Sequence, residues 1–189
     1  MKPYLFILII FLIPYYSFSQ KKKTKKLSME EQVAIAKKQA ELASYKLLAQ
    51  PGAKLPAFQV LDNEKKIITD ADIDKNAPLV IVLFNPGCDH CMMATKAFYE
   101  RKDEFKDATI LFITGAQLWG QLSSFMRFIN LDLSQATHFI ISADNSNVTK
   151  DLFESKGIPQ VMVYNKEKIL QKVFHQFISI DSVLDYLPK

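Results

Sequence analysis

The stretch that most restricts this chain is a change of pattern between residues 79 and 92. Leu79-Val80-Ile81-Val82-Leu83-Phe84 is apolar at every position, as a strand buried on both faces must be. It runs through Asn85-Pro86-Gly87 into Cys88-Asp89-His90-Cys91, where a helical pattern begins. Two thiols three residues apart in a first helical turn can close a disulfide with little backbone movement, and open it again. The first cysteine sits beside the orphan N–H groups and the positive end of the helix dipole, which favour a thiolate. A protonated His90 adds positive charge there, while Asp89 opposes it. This is the pattern of a redox-active dithiol.

Two blander uses of the pair fit less well. A closed structural zinc site takes four ligands. The chain has two cysteines, and His90, His138 and His175 lack paired-ligand spacing. A static staple over so short a loop removes little entropy from the unfolded chain.

The 189 residues are 49% hydrophobic and 12% aromatic, enough for one domain with a full core. Two cysteines make no disulfide scaffold, so stability has to come from that core. The net charge of +4 is concentrated in the run Lys21 to Lys26. A solvated basic tail is expected rather than a nucleic-acid surface.

The N-terminus reads as an address. Lys2 precedes an apolar stretch from Tyr4 to Tyr16, and Ser17-Phe18-Ser19 offers a small-residue cleavage site before Gln20. The uninterrupted run Leu5 to Ile13 falls well short of the ~20 residues a spanning helix needs. A cleaved secretory signal over 1–19 is expected, and membrane association only if that segment is retained. No cysteine follows the run, so no lipid-modified cysteine is expected. Export places the dithiol where disulfides persist, periplasmic if the source is a Gram-negative bacterium.

Residues 20–54 read as the Lys-rich segment and one helix. Ser28-Met29-Glu30-Glu31 has capping-box spacing, and the helix is predicted from Met29 to about Ala49, before Pro51-Gly52. Its shallow, Ala-rich stripe (Val33, Ala36, Ala40, Ala43, Leu47) is expected to pack on the domain rather than on a membrane. Residues 55–189 form the domain. Strands are predicted at 57–61, 66–69, 79–84, 109–114, 138–141, 161–164 and 169–174, with a hairpin at the start and another at 161–174. Helices are predicted from Cys88 toward Phe105, over 117–129, over 148–155 ending at Gly157, and over 181–187.

This order, with Leu55-Pro56-Ala57-Phe58 before the first hairpin and Gly157-Ile158-Pro159 before the last, resembles the thioredoxin superfamily. It is most similar to the exported TlpA/ResA-like thiol–disulfide oxidoreductases over roughly 55–189. The resemblance implies a three-layer α/β/α fold with a central mixed sheet and an added N-terminal β-hairpin. It implies Cys88 as attacking thiolate, Cys91 as buried resolving thiol, and a cis Pro159 facing the disulfide. Ile158 and Pro159 would then meet a substrate strand. The chain departs from the family pattern in three places. Gly87 replaces the Trp before the first cysteine, Val82 the buried acid of thioredoxins, and Ala94 the Glu of TlpA/ResA-like members. Either acid would help deprotonate the resolving thiol.

The expected function is thiol–disulfide exchange with other exported proteins, recharged by an upstream redox donor, with no cofactor and no metal. Two alternatives share the fold. A peroxiredoxin-like peroxidase usually has Thr where Asn85 stands. A copper-binding chaperone would need a distal histidine such as His138 or His175, and its cysteines are usually one residue further apart.

Overall fold

Leu79–Leu83 forms a strand whose side chains are all buried, as its unbroken apolar pattern requires. In the computed structural model, which describes residues 28–145, 153 and 156–188, it lies inside a seven-stranded sheet. Along the chain the strands are β1 (Gln59–Asp62), β2 (Ile67–Thr69), β3 (Leu79–Leu83), β4 (Thr109–Gly115), β5 (Phe139–Asp144), β6 (Gln160–Tyr164) and β7 (Leu170–His175). Across the sheet they run β2-β1-β5-β4-β3-β6-β7. Strands β3, β4 and β5 are parallel. The β1–β2 and β6–β7 hairpins join them antiparallel on either side. The sheet is therefore mixed, with the N-terminal hairpin on one edge.

The described helices are α1 (Met29–Leu48), α2 (Asp89–Glu100), α3 (Leu122–Phe128) and α4 (Ile180–Leu184). Alternation of side chains along the strands divides the core. Val80, Val82, Phe112 and Phe139 face α2, α3 and α4, where they meet Cys91, Phe98, Leu122, Phe125, Ile180 and Val183. Leu79, Ile81, Leu83, Leu111 and Met162 face the other way, under Phe58, Ile68, Ile73 and Phe153. Apart from the buried Phe153, the helix expected over 148–155 lies outside the described residues, as does the expected signal segment 1–19. Among the described residues no helix is long and apolar enough to cross a membrane.

Three expectations are corrected. The α1 capping box is present, Glu31 N–H donating to Ser28 Oγ at 3.1 Å and Ser28 N–H to the Glu31 carboxylate at 2.7 Å. Yet residues 28–40 are all exposed: an Ala-rich stripe offers too little apolar area to dock this half of the helix. The segment after α1 is attached to the domain. Gly52 N–H donates to Leu170 O and Leu170 N–H to Ala53 O, both at 2.8 Å. The helix from Cys88 stops at Glu100 and re-forms as a 3-10 turn over Lys102–Phe105. The helix predicted over 117–129 begins as a 3-10 segment, Ala116–Gln121, and becomes α-helical only at Leu122. Gly120 sits at that junction, and glycine is a poor α-helix former.

The Tyr164 hydroxyl is buried in β6 without a hydrogen-bond partner among the described residues, and burial pushes its ionisation well above the usual phenol range. Leaving a buried hydroxyl unpaired costs roughly 1–3 kcal/mol. Tyr164→Phe is therefore expected to hold or raise the thermal unfolding midpoint. A fall would mean that the hydroxyl is paired.

Candidate active site

Strand β3 ends at Leu83, and a short turn carries the chain into α2. Asn85 shapes that turn twice: its Oδ1 accepts Gly87 N–H at 2.8 Å and its carbonyl accepts Cys88 N–H at 3.0 Å. Asparagine does this readily because its side chain mimics a backbone carbonyl. Cys88 is then the N-cap of α2, with extended backbone (φ −102°, ψ 118°). Its Sγ accepts Cys91 N–H at 3.3 Å, so one of the helix's orphan donors points at the first sulfur.

Both cysteines are free thiols in very different surroundings, Cys88 half-buried and Cys91 buried. Cys91 is 0% exposed and packs in the cluster that holds Val82, Phe84 and Phe98. Burial pushes its thiol up to about 12, and the hydrogen bond with Cys88 adds to the rise. Val82 lies in that cluster and Ala94 is also buried, and neither position supplies an acidic group. Of the two cysteines, only Cys88 keeps any exposure.

Three segments converge at this end of the sheet, beyond the C-terminus of β3. Leu83, at the end of β3, pairs with Gln160 at the start of β6, which places Ile158 and Pro159 beside the turn into α2. The Ile158–Pro159 peptide bond is cis, as the resemblance implied. Pro159 is buried and Ile158 exposed. Gln160 anchors the approach, its Nε2 donating to Phe153 O at 2.8 Å and its Oε1 accepting Lys156 N–H at 3.2 Å. At the end of β7, Gln176 N–H donates to Pro159 O at 2.8 Å. The next residue, Phe177, meets the His90 imidazole edge to face, ring centroids 5.2 Å apart. On the other flank of α2, Asp89, Met92, Met93, Lys96 and Phe128 line an open groove of about 680 Å³.

The candidate residues Cys88, His90, Cys91, Ile158 and Pro159 thus share one end of the sheet. His138 does not join them. It precedes β5, at the opposite end of the parallel strands. There its Nε2 lies 3.1 Å from Lys102 O, and burial pulls its ionisation down. His175 ends β7 on the dithiol side and is exposed. Among the described residues no group of three or more His, Cys, Asp or Glu is arranged to hold a metal ion. Trp119 is half-buried against the core face of α2 and α3. Asn85 is read in the sequence only as the position where a peroxidase would carry Thr, although the Asn-Pro-Gly signal also points to its turn role; Phe177 carries no motif and goes unread.

No protein-family model matches this sequence, and no curated protein is similar to it. Solved structures are. The thioredoxin domain of a thiol-disulfide oxidoreductase from Bacteroides vulgatus is 13% identical, with TM-score 0.58 over 72% of this chain and 94% of that one. A secreted disulfide oxidoreductase from Mycobacterium tuberculosis is 16% identical, with TM-score 0.57 over 68% and 92%. A peroxiredoxin-like protein from Aquifex aeolicus is 14% identical, with TM-score 0.58 over 72% and 84%. At these identities the likeness is one of fold, and the fold is thioredoxin-like.

Proposed function

We propose that this thioredoxin-like chain is an exported thiol–disulfide oxidoreductase that exchanges disulfides with other exported proteins through Cys88 and Cys91. The observation that carries the reading is the unequal pair at the start of α2: a reachable Cys88 receiving the Cys91 N–H, and a buried Cys91 behind it. The Cys88 thiolate attacks one sulfur of a substrate disulfide, forming a mixed disulfide and expelling the other substrate sulfur as a thiolate. The Cys91 thiolate then attacks Cys88 Sγ, closing the Cys88–Cys91 disulfide and releasing the second substrate thiolate. Two electrons pass from the protein dithiol to the substrate, and an upstream dithiol donor returns them. The exposed Ile158, just before the cis Pro159, offers backbone with which an extended substrate segment pairs during the exchange. Export is supported by the signal-like N-terminus, and the secreted Mycobacterium tuberculosis relative in fold is consistent with it.

Asn85, where peroxidases of this fold usually carry Thr, favours exchange over peroxide chemistry, although the Aquifex aeolicus neighbour is peroxiredoxin-like. The two are separated by giving the protein a dithiol donor with either a disulfide-bonded polypeptide or hydrogen peroxide. Faster reduction of the polypeptide, without peroxide turnover, is the expected result. Peroxide consumption outpacing exchange would overturn the reading.

His90 lies between the two cysteines in sequence, in the first turn of α2, and when protonated it favours the reduced, thiolate-bearing form. His90→Pro is expected to lower the reduction potential by tens of millivolts, with about 30 mV corresponding to about 1.4 kcal/mol. An unchanged or higher potential would remove the imidazole from the chemistry.

A further inference from the structure

Phe177 is 80% exposed, a large apolar ring held in solvent just after the last strand. Its direction is set by the backbone. Gln176 adopts φ +63°, a conformation in which a side chain other than glycine is uncommon, and its N–H is held by Pro159 O. Behind it, Gly157 has φ +152°, and a Cβ there would come within 3.8 Å of the Gln176 side chain. The chain is thus turned so that Phe177 reaches across to α2. Among the described residues its one ring contact is His90, perpendicular at 87°. His90 is itself exposed, and nothing else among the described residues fixes its ring.

We infer that Phe177 is a positioning residue for the dithiol: by seating its ring against the His90 imidazole, it sets how strongly that imidazole acts on the Cys88–Cys91 couple. An exposed histidine with free rotamers spends part of its time directed into solvent, where the charge of its protonated form is screened from the sulfurs. An edge-to-face aromatic partner restricts that freedom. Asp89, exposed next to it, is the opposing charge at the same helix terminus, so the balance between the two depends on where the imidazole is held. This inference rests on the exchange reading above and adds to it the residue that tunes the couple.

The test is a double-mutant cycle on the full chain. Phe177→Ala, His90→Ala and the double variant are equilibrated, beside the unchanged protein, with reduced and oxidised glutathione. The measured equilibrium is protein disulfide plus two glutathione thiols against protein dithiol plus glutathione disulfide. Phe177→Ala is expected to shift the constant about threefold toward the protein disulfide, about 14 mV for a two-electron couple. In the His90→Ala background the same change is expected to shift nothing, and Phe177→Tyr is expected to restore the original value. The ring is exposed, so the thermal unfolding midpoints serve as the check that every variant is folded. Equal shifts in both backgrounds, or no shift in either, would overturn the inference while leaving the exchange reading intact. Cysteines that never equilibrate with glutathione in the unchanged protein would overturn the exchange reading, and this inference with it.

Discussion

Cys88→Ser is expected to reduce disulfide exchange to background, whereas Cys91→Ser is expected to convert the protein into a trap. The asymmetry follows from burial. Cys88 is the sulfur a substrate can reach, and Cys91 is closed off behind it. Without Cys88 no mixed disulfide forms. Without Cys91 the mixed disulfide forms but lacks the internal thiolate that resolves it. Non-reducing electrophoresis of each variant, incubated with a disulfide-bonded polypeptide, would show covalent adducts with Cys91→Ser and none with Cys88→Ser. Serine is close to cysteine in size, so neither change should disturb the packing around α2. Adducts of equal yield from both variants would mean that the roles are assigned wrongly.

The second large effect is a dependence of the resolving step on pH. Burial pushes the Cys91 thiol up to about 12, and with Val82 and Ala94 apolar no acidic group stands at either position to take its proton. In the mixed disulfide the contribution of the Cys88 thiol disappears, but burial, the larger cause, remains. At neutral pH Cys91 then remains overwhelmingly the thiol. Release of a trapped substrate is expected to quicken about tenfold per pH unit above neutrality, levelling only above the ordinary thiol range. Rapid quenching of a preformed mixed disulfide at successive pH values measures this directly. Ala94→Glu, which places a carboxylate where the wild-type chain has none, is expected to flatten the profile. A flat profile in the unaltered protein would show that another group accepts the proton.

The same shift bears on stability, with a definite sign. Cys91 is raised in the folded chain above its ordinary value of 9.0, so the unfolded chain releases that proton first as pH rises. The contribution is complete below pH 9 and is lost as pH climbs from 9 toward 12. The reduced protein should weaken across that window. The oxidised protein has no thiol to titrate and lacks this loss.

Much of the end of the sheet that carries the sulfurs was legible in the sequence because its signals are short-range and strong. An apolar run long enough for one strand, a turn, and two cysteines at helical spacing leave little freedom to the backbone, and β3, Cys88 and α2 lie where that pattern puts them. The Ile158–Pro159 bond came from the resemblance rather than from spacing, since nothing local distinguishes a cis from a trans proline. The errors have physical causes too. The α1 stripe was read correctly as apolar, but alanine buries too little area to decide whether a helix docks. The 117–129 segment has helical periodicity throughout, while its first turns are 3-10, a distinction that periodicity hardly resolves. Phe177 was out of reach altogether. Its role depends on Gln176 turning the chain and on His90 lying opposite, 87 positions away (177 minus 90), and no pattern in one strand reports a contact made across the sheet.

The equilibrium reduction potential of the Cys88–Cys91 couple, measured in graded glutathione buffers, tests the central claim most directly. A reversible exchanger of this geometry should show one two-electron transition between an intramolecular disulfide and a dithiol. The opposing charges of His90 and Asp89 should place it between the reductive and oxidising extremes of the fold, about −270 and about −120 mV. A Cys88 that accumulates as a glutathione adduct without closing onto Cys91, or a pair that does not change state across the whole range, would contradict it.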